Sequence, residues 1–315
     1  MNETQYQQVD VSPQHLSHLV SVEIAYALGL PRRGFHIRVI GFLVRRITQR
    51  FSQLAVDFDA DIAALGFREG CHRFVDHFVA GYRAAGVERV PARGPLIVAA
   101  NHPGVSDALV LIAALPRDDA RLVISDVPIT RALPHAAAHF IHVSGETDSR
   151  VRAVREMERY LREGGAVVIF PSGHLTPDPE VAVKGRGDGR SFETLARDTF
   201  EPWSRSILLP LRRVPDCQIQ VATVRGVLAP RFVRHPLTGL IPAPGGWERQ
   251  RLAEFLQVIY QLRTGDHLNL APCVSFAPPL GPDTLRGLEP KAAMAAVVER
   301  GIESLRSQRG GSVVD

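Results

Sequence analysis

The chain has 315 residues, of which 45% are apolar and 22% charged, and its formal net charge is +4. These proportions exclude a wholly disordered chain and predict a globular protein with a full core. The mild, scattered positive charge is too weak to indicate a nucleic-acid partner, and it suits an anionic membrane surface or an anionic substrate.

The three cysteines, Cys71, Cys217 and Cys273, stand far apart. We expect free thiols in a reducing compartment. The first ten residues lack the basic start and apolar core of a secretory signal. No apolar run approaches the roughly 18 residues that a transmembrane helix requires. We therefore expect a cytoplasmic protein that is peripheral on the inner face of the cell membrane.

Two parts are predicted, a helical, membrane-facing part at 1–88 and an α/β domain at 89–315. Within the first part, apolar residues recur on one face of a helix over 35–58, at Ile40, Val44, Ile47, Phe51 and Leu54. Such a basic amphipathic helix can lie in a membrane interface or pack on the protein's own core, and the pattern does not separate the two. The helical pattern continues from Asp59 to Ala85.

After residue 90, short apolar runs alternate with helical patterns. The runs predict strands at 96–100, 121–125, 139–143, 166–170, 206–211, 218–227 and 268–276. Helices are predicted at 107–115, 149–163, 189–200, 247–263 and about 290–307, with an irregular excursion rich in Pro and Gly at 227–246. This alternation predicts an α/β fold with a mixed, largely parallel sheet of about seven strands flanked by helices.

Candidate chemistry lies in loops that follow predicted strands, where sites in α/β sheets gather. His102 and Asp107 follow the strand at 96–100 and suit a general base with its orienting partner. Phe170-Pro-Ser-Gly-His-Leu-Thr176 follows the strand at 166–170, and its Ser-Gly turn can offer backbone N–H groups to an anion. No Gly-x-Ser-x-Gly elbow is present, so a serine acyl-enzyme lacks support.

These loops, in this order, resemble the glycerolipid acyltransferase superfamily of lysophosphatidic acid acyltransferase-like proteins. Asn101-His-Pro-Gly-Val-Ser-Asp107 is similar to its Asn-His-x4-Asp box, and 164–173 to the strand leading into its Phe-Pro-Glu-Gly-Thr-Arg-Ser box. Val183-Lys-Gly185 resembles its Lys-Gly, and Ile207-Leu-Leu-Pro-Leu211 one of its strands. The resemblance spans about residues 90–226, while 228–265 has no counterpart.

The resemblance implies direct acyl transfer in phospholipid biosynthesis or related lipid metabolism. His102 would deprotonate a lipid-like hydroxyl or amine acceptor, and Asp107 would orient the imidazole. The donor would be acyl-CoA or acyl carrier protein, used as a co-substrate, with no other cofactor. The substrate-binding positions would be Asn101, Ser144, Arg150, Ser172, Gly173, His174, Thr176 and Lys184.

Departures from the family boxes concern the acceptor. Ser172 stands where the family has Glu, and His174-Leu-Thr176 where it has Thr-Arg-Ser. A second family arginine falls at about Ser144. Arginine grips phosphate through a planar, bidentate fork that Ser and Leu lack. Alternative cations are Arg150, Lys184, Arg186, Arg212 and Arg213, and the sequence does not single out glycerol 3-phosphate as the acceptor.

The sequence also raises three alternative interpretations. The same His-Asp pair can activate water in a lipid or thioester hydrolase. The altered box at Ser172–Thr176 suits a non-catalytic membrane-binding relative. His135, His139 and His142 have metal-capable spacing on a helix, but a strand at 139–143 would separate them, so no metal is predicted.

Overall fold

The structure is a computed structural model that describes residues 11–27, 31, 33–184, 191–239 and 246–310. Four helices come first: α1 (Pro13–Ala27), α2 (Phe35–Leu43), α3 (Arg45–Leu65) and α4 (Phe67–Val75). Gly66, at φ +89°, separates α3 from α4, because this backbone conformation strains residues that carry a Cβ and ends a helix.

Among the described residues, seven strands form one sheet. They are β1 (Arg83–Ala85), β2 (Leu96–Ala100), β3 (Ala120–Ser125), β4 (Phe140–Val143), β5 (Ala166–Ile169), β6 (Gln218–Arg225) and β7 (Cys273–Phe276). Their order is β1-β7-β6-β2-β5-β3-β4, and only the β6–β7 pairing is antiparallel. The predicted α/β class, with a largely parallel sheet of about seven strands, is confirmed.

The remaining helices join the strands. They are α5 (Asp107–Ala114), α6 (Pro128–Arg131), α7 (Pro134–Ala137), α8 (Thr147–Arg162), α9 (Pro179–Lys184), α10 (Phe192–Phe200), α11 (Leu208–Arg213), α12 (Pro230–Val233), α13 (Pro236–Gly239), α14 (Gly246–Thr264), α15 (Pro282–Leu285) and α16 (Pro290–Gly310). Short 3-10 turns lie at Val87–Arg89 and Arg205–Ile207.

Helices cover both faces of the sheet, which explains why β2 is an uninterrupted apolar run. Alternate side chains of β2 enter two separate cores: Leu96, Val98 and Ala100 face one, and Ile97 and Ala99 the other. The first core includes residues of α1, α3, α4, α5 and α14, and the second residues of α8, α10, α11 and α16. The N-terminal helices therefore pack on the same core as the sheet.

Two element predictions are wrong. Residues 206–211 form a 3-10 turn and the start of α11 instead of a strand. The Ile207–Leu211 segment is therefore not the counterpart of the family strand that it resembles in sequence. Ile207, Leu208 and Leu211 are buried at a helical spacing, and Pro210 lies in the first turn, where a missing N–H is tolerated. The predicted helix to Ala85 also fails, because β1 pairs with β7 through a long-range contact that no local pattern reveals. The sheet thus begins at Arg83, before the predicted boundary at residue 89.

The predicted amphipathic helix over 35–58 is two helices with different surroundings. Ile47, Phe51 and Leu54 of α3 pack against the protein's own core, which supports the core-packing alternative there. On α2, by contrast, Phe35 and Phe42 are 74% and 77% exposed. The side chain of Ile40 lies outside the described residues. Searched over the described residues, no helix combines the length and apolarity needed to cross a membrane.

Candidate active site

The candidate site lies at the carboxyl ends of β2 and β5, which are neighbours in the sheet. Because both strands are parallel, the loops that follow them, 101–107 and 170–178, leave the sheet at the same edge. Asn101 directly follows β2, and its side chain links this strand to β6. Its Nδ2 donates to the Val224 carbonyl at 2.8 Å, and its Oδ1 accepts from the Val224 N–H at 2.7 Å. This fully buried amide therefore has a structural role, which differs from the predicted substrate contact.

His102 and Asp107 form a closely hydrogen-bonded pair. The Nδ1 of His102 lies 2.9 Å from Oδ2 and 3.1 Å from Oδ1 of Asp107. Asp107 is the first residue of α5, where the helix dipole favours a carboxylate, and its Oδ2 also accepts from the Gly104 N–H at 3.0 Å. A carboxylate only accepts, so Nδ1 carries the proton and Nε2 keeps a free lone pair.

The environment of the pair suits a base. Asp107 is fully buried, whereas the His102 side chain is 25% exposed. Within the described part of the chain, Nε2 has no hydrogen-bond partner. Burial lowers the pKa of His102, but the charge of Asp107 and its hydrogen bond outweigh burial and leave this pKa above its usual value. A charged Glu254 would add to that effect.

Phe170 holds the other side of the imidazole and was not predicted as a site residue. It follows the last residue of β5, and its ring stacks on the His102 ring with centroids 4.4 Å apart. The ring faces meet at 25°, so His102 is fixed by a hydrogen bond at its edge and by an aromatic face. The sequence signal that could have identified Phe170 is its position directly after a predicted buried strand, in a loop predicted to lie beside the loop of His102.

The turn after Phe170 is held by its own polar groups. The Ser172 hydroxyl donates to the His174 carbonyl at 2.7 Å, and the Gly173 N–H donates to the Phe170 carbonyl at 3.1 Å. The Gly173 N–H, which the sequence predicted to be available to an anion, is thus used within the turn. Gly173 and His174 are exposed, so the outer surface of this turn remains accessible beside His102.

Thr176 connects the two loops from a buried position. Its hydroxyl accepts from the His102 N–H at 3.0 Å, and its N–H donates to the His102 carbonyl at 2.7 Å. Thr176 is 2% exposed, so its side chain positions the His102 backbone instead of lining a substrate surface. This role differs from the predicted substrate contact.

Two predicted binding positions lie elsewhere, and a third has a side chain outside the described residues. Ser144 follows β4, the edge strand, which stands three positions from β2, about 14 Å at ordinary strand spacing. The Ser144 N–H donates to the Ser149 hydroxyl at 2.9 Å, and the exposed Arg150 lies in the first turn of α8. The side chain of Lys184 lies outside the described residues, as does all of Arg186. The structure therefore does not bring Ser144 and Arg150 to the His102 pair.

A third element, α14, reaches the pair from the segment that had no predicted role. Glu254 accepts a hydrogen bond from the Val105 N–H, inside the loop between His102 and Asp107. Gln250 donates to the Pro103 carbonyl at 2.6 Å and to the Thr176 carbonyl. Neither residue was predicted as part of the site, although the sequence shows that they are four positions apart in a predicted helix.

The histidines considered for metal binding are dispersed. His135 is exposed on α7, and the His139 ring stacks on Phe67 at 4.6 Å. His142 lies on β4, where burial lowers its pKa. Across 11–27, 31, 33–184, 191–239 and 246–310, no group of three or more His, Cys, Asp or Glu side chains is placed to hold a metal ion.

The fold and the site together define an α/β protein with a hydrogen-bonded His-Asp pair at the carboxyl edge of its sheet. The family model described as "Acyltransferase" matches residues 82–199, a stretch that holds both loops and the His102–Asp107 pair. The matched stretch covers less than half of the chain, and α14 lies beyond it. No curated protein matches the chain.

Among solved structures, the chain is similar to the 1-acyl-sn-glycerophosphate (LPA) acyltransferase PlsC from Thermotoga maritima. The sequence identity is 13%, the TM-score is 0.45, and the match covers 96% of this chain and 98% of the other.

Proposed function

We propose that this protein transfers a fatty acyl group from acyl-CoA or acyl carrier protein to the hydroxyl or amine of a lipid-like acceptor. The observation that carries the proposal is the His102–Asp107 pair. Nδ1 is held at 2.9 Å, Nε2 has no hydrogen-bond partner among the described residues, and the His102 side chain is 25% exposed. The acyltransferase family match over 82–199 supports the reaction class.

In the proposed reaction, Nε2 of His102 accepts the proton of the acceptor O–H or N–H while that oxygen or nitrogen attacks the thioester carbonyl. The tetrahedral intermediate collapses, the C–S bond breaks, and the imidazolium returns its proton to the departing thiolate. The products are an ester or amide and the free thiol of the carrier. Asp107 stabilises the transient imidazolium and holds its tautomer. The chemistry requires no cofactor beyond the acyl carrier.

The acceptor we propose does not depend on a phosphate group. Leu175 and Ser144 occupy the positions where the family resemblance expects arginines, and neither supplies a cation. Ser172, Gly173 and His174, on the accessible turn beside His102, are proposed to contact substrate. Arg150 and Lys184 remain proposed contacts for a more distant part of the donor or acceptor.

A membrane surface is the proposed source of the acceptor. The exposed apolar side chains of α2 and its end (Phe35, Val39, Phe42 and Leu43) stand next to exposed basic residues (Arg33, Arg38, Arg45 and Arg46). Apolar and basic groups of this kind suit an interface with anionic lipid, where the former enter the acyl boundary and the latter meet headgroups. We therefore place the protein peripherally on the cytoplasmic face of the cell membrane.

The central experiment incubates purified protein with labelled acyl-CoA and a total lipid extract, followed by separation of the lipids. We expect a labelled lipid from wild type and none from His102→Ala. Arg150→Ala and His174→Ala should raise KM more than they lower kcat. Absence of product from wild type with both acyl-CoA and acyl carrier protein, or undiminished product from His102→Ala, would defeat the catalytic proposal.

The hydrolase alternative uses the same pair with water as the attacking group. It predicts release of free fatty acid and thiol at an equal rate with and without lipid. Strict dependence of thiol release on the lipid acceptor would exclude it.

Membrane binding is tested by co-sedimentation with vesicles of anionic phospholipid. Phe42→Asp combined with Phe35→Asp should abolish binding, whereas Leu288→Asp, at another exposed apolar position, should not. Equal binding by the α2 variant and wild type would remove α2 as the contact.

A further inference from the structure

The helix α14 presents a largely buried polar stripe to the backbone around the candidate site. Its members, Gln250, Glu254, Gln257 and Gln261, recur at spacings of four, three and four, which places them on one face. Gln257 accepts from the Ala229 N–H at 2.7 Å and donates to the Val227 carbonyl at 2.9 Å. Gln261 donates to the Phe78 carbonyl at 2.6 Å. Buried polar side chains are tolerated when they form hydrogen bonds of this kind. The stripe therefore fixes α14 against specific backbone positions.

The N-terminal half of the stripe acts on the two catalytic loops. Gln250 donates to the carbonyls of Pro103 and Thr176, and its Oε1 accepts from the Asp178 N–H at 3.3 Å. One side chain therefore ties the loop that carries His102 to the loop that follows Phe170. Glu254 adds the hydrogen bond from Val105.

These contacts bear on the distance between His102 and Asp107. Residues 103–106 join the two. Within this segment the Pro103 carbonyl contacts Gln250, the Gly104 N–H contacts Asp107 and the Val105 N–H contacts Glu254. The fit against Glu254 is close, since a Cβ added to Gly104 would lie 2.7 Å from the Glu254 Oε1. A shift of α14 would thus move the loop that spaces the base from its partner.

We propose, resting on the function proposed above, that Glu254 and Gln250 are positioning residues for acyl transfer, holding the 103–105 backbone so that His102 and Asp107 stay in register. Because α14 lies beyond residues 82–199, this assigns part of the catalytic geometry to the C-terminal region, outside the family-matched stretch.

Glu254 performs this role best as a neutral carboxyl. It is 5% exposed, its Oε2 is buried without a hydrogen-bond partner, and it has no ion-pair partner among the described residues. Burial raises the pKa of Glu254 to about 8, with the Asp107 and Asp178 charges raising it and the Val105 N–H and His102 lowering it. A neutral Glu254 still accepts from Val105 through Oε1 and adds no second negative charge beside Asp107. Glutamine preserves that acceptor, and leucine removes it.

The test compares Glu254→Gln, Glu254→Leu and Gln250→Leu in the full chain, with Gln261→Leu as the matched control on the same helix face. We expect kcat to fall about 10–100-fold in both loop-contacting leucine variants, because misplacement near the chemistry has effects of that size. KM should change less than kcat. Glu254→Gln should restore kcat to within about threefold of wild type, and Gln261→Leu should match wild type.

A readout independent of turnover separates this inference from the proposed activity. In histidine-labelled protein, the His102 Nδ1–H signal and the His102 titration report the Asp107 contact by NMR, assigned with His102→Gln. Glu254→Leu and Gln250→Leu should lower the His102 pKa and broaden that signal, while Gln261→Leu leaves both unchanged.

If wild type transfers no acyl group but the leucine variants still lose the His102 signal, the proposed function is refuted and the positioning role is retained. Leucine variants that keep both kcat and the His102 signal would overturn the positioning role. If Glu254→Leu does not fold, Gln250→Leu, at a less buried position, decides by the same two readouts.

Discussion

The rings of His102 and Phe170 lie 4.4 Å apart, stacked face to face at 25°. Phe170 comes from the end of β5 and Asp107 from the start of α5, so two different elements meet at one imidazole. The hydrogen bond to Asp107 fixes one edge of the His102 ring. The stacking on Phe170 limits the rotation of the ring that this hydrogen bond alone would still allow. The orientation of the imidazole therefore depends on the sheet as well as on the Asn-His-x4-Asp segment.

Replacing Phe170 with Leu should lower kcat for acyl transfer about tenfold, because a mobile imidazole spends less time aligned with the acceptor. The thermal midpoint should change little, since Leu retains most of the apolar contact. Steady-state kinetics and circular dichroism measure the two effects. Phe192→Leu, on the opposite face of the sheet, serves as the control and should leave kcat intact. Equal kcat in Phe170→Leu and wild type would show that the stacking does not assist catalysis.

Replacing Asp107 with Asn should lower the His102 pKa, because burial then acts without the opposing carboxylate. Activity should fall about 10³-fold or more, since the amide no longer enforces the tautomer with a proton on Nδ1.

In wild type the raised pKa of His102 means that activity declines as pH falls through this pKa, because only neutral His102 accepts a proton. NMR titration of His102 and a pH–rate profile test both statements. Asp126→Asn, in the exposed Arg131 pair, should change neither. A His102 pKa that does not fall in Asp107→Asn would contradict the account.

The parts of the fold that follow local patterns were predictable. The continuous apolar runs at 96–100 and 166–170 are strands buried on both faces, and the helical period at 149–163 and 247–263 gives α8 and α14. His102 and Asp107 were predictable because the family box places them in one loop. Thr176 was named with the wrong role, since only the folded backbone shows that its hydroxyl bonds the His102 N–H.

The remainder depends on contacts between distant segments. An apolar run such as Ile207–Leu211 fits a buried strand or a short helix equally well, and packing decides between them. The exposed, three-residue β1 exists only through its pairing with β7. Gln250 and Glu254 lie about 150 positions along the chain from the loop that they hold, so neither motif nor periodicity links them to it.

A buried arginine at the opposite end of the sheet gives a prediction about stability. Arg117 pairs with Asp119 in two hydrogen bonds of 2.7 and 2.6 Å. It also donates to the carbonyls of Pro91, Gly94 and Gly164. Arg117→Met should lower the free energy of unfolding by about 3–5 kcal/mol, because three carbonyls lose their donor and Asp119 its cation. Urea unfolding measures the change.

The neighbouring Arg68–Asp118 pair is the matched control for Arg117. Both of its side chains are largely exposed, and exposed pairs contribute about 0–1 kcal/mol. Arg68→Met should therefore lie within about 1 kcal/mol of wild type. Equal effects of Arg68→Met and Arg117→Met would refute the structural role assigned to Arg117.

The buried carboxyl of Glu254 predicts a stability that depends on pH. Its pKa is about 8 in the folded protein, above its ordinary value of 4.5, so between these values the folded state holds a proton that the unfolded state has released. Stability must then fall as pH rises through this window, by up to about 1.4 kcal/mol per pH unit.

Glu254→Gln keeps the acceptor for Val105 and has no proton to lose. The stability of the Gln variant relative to wild type should therefore grow from about pH 5 to about pH 8. Urea unfolding across that range measures the difference, with the exposed Glu289→Gln as the control. Parallel stability curves for wild type and Glu254→Gln would mean that Glu254 is already ionised in the folded protein, and the neutral-acceptor account of α14 would have to be abandoned.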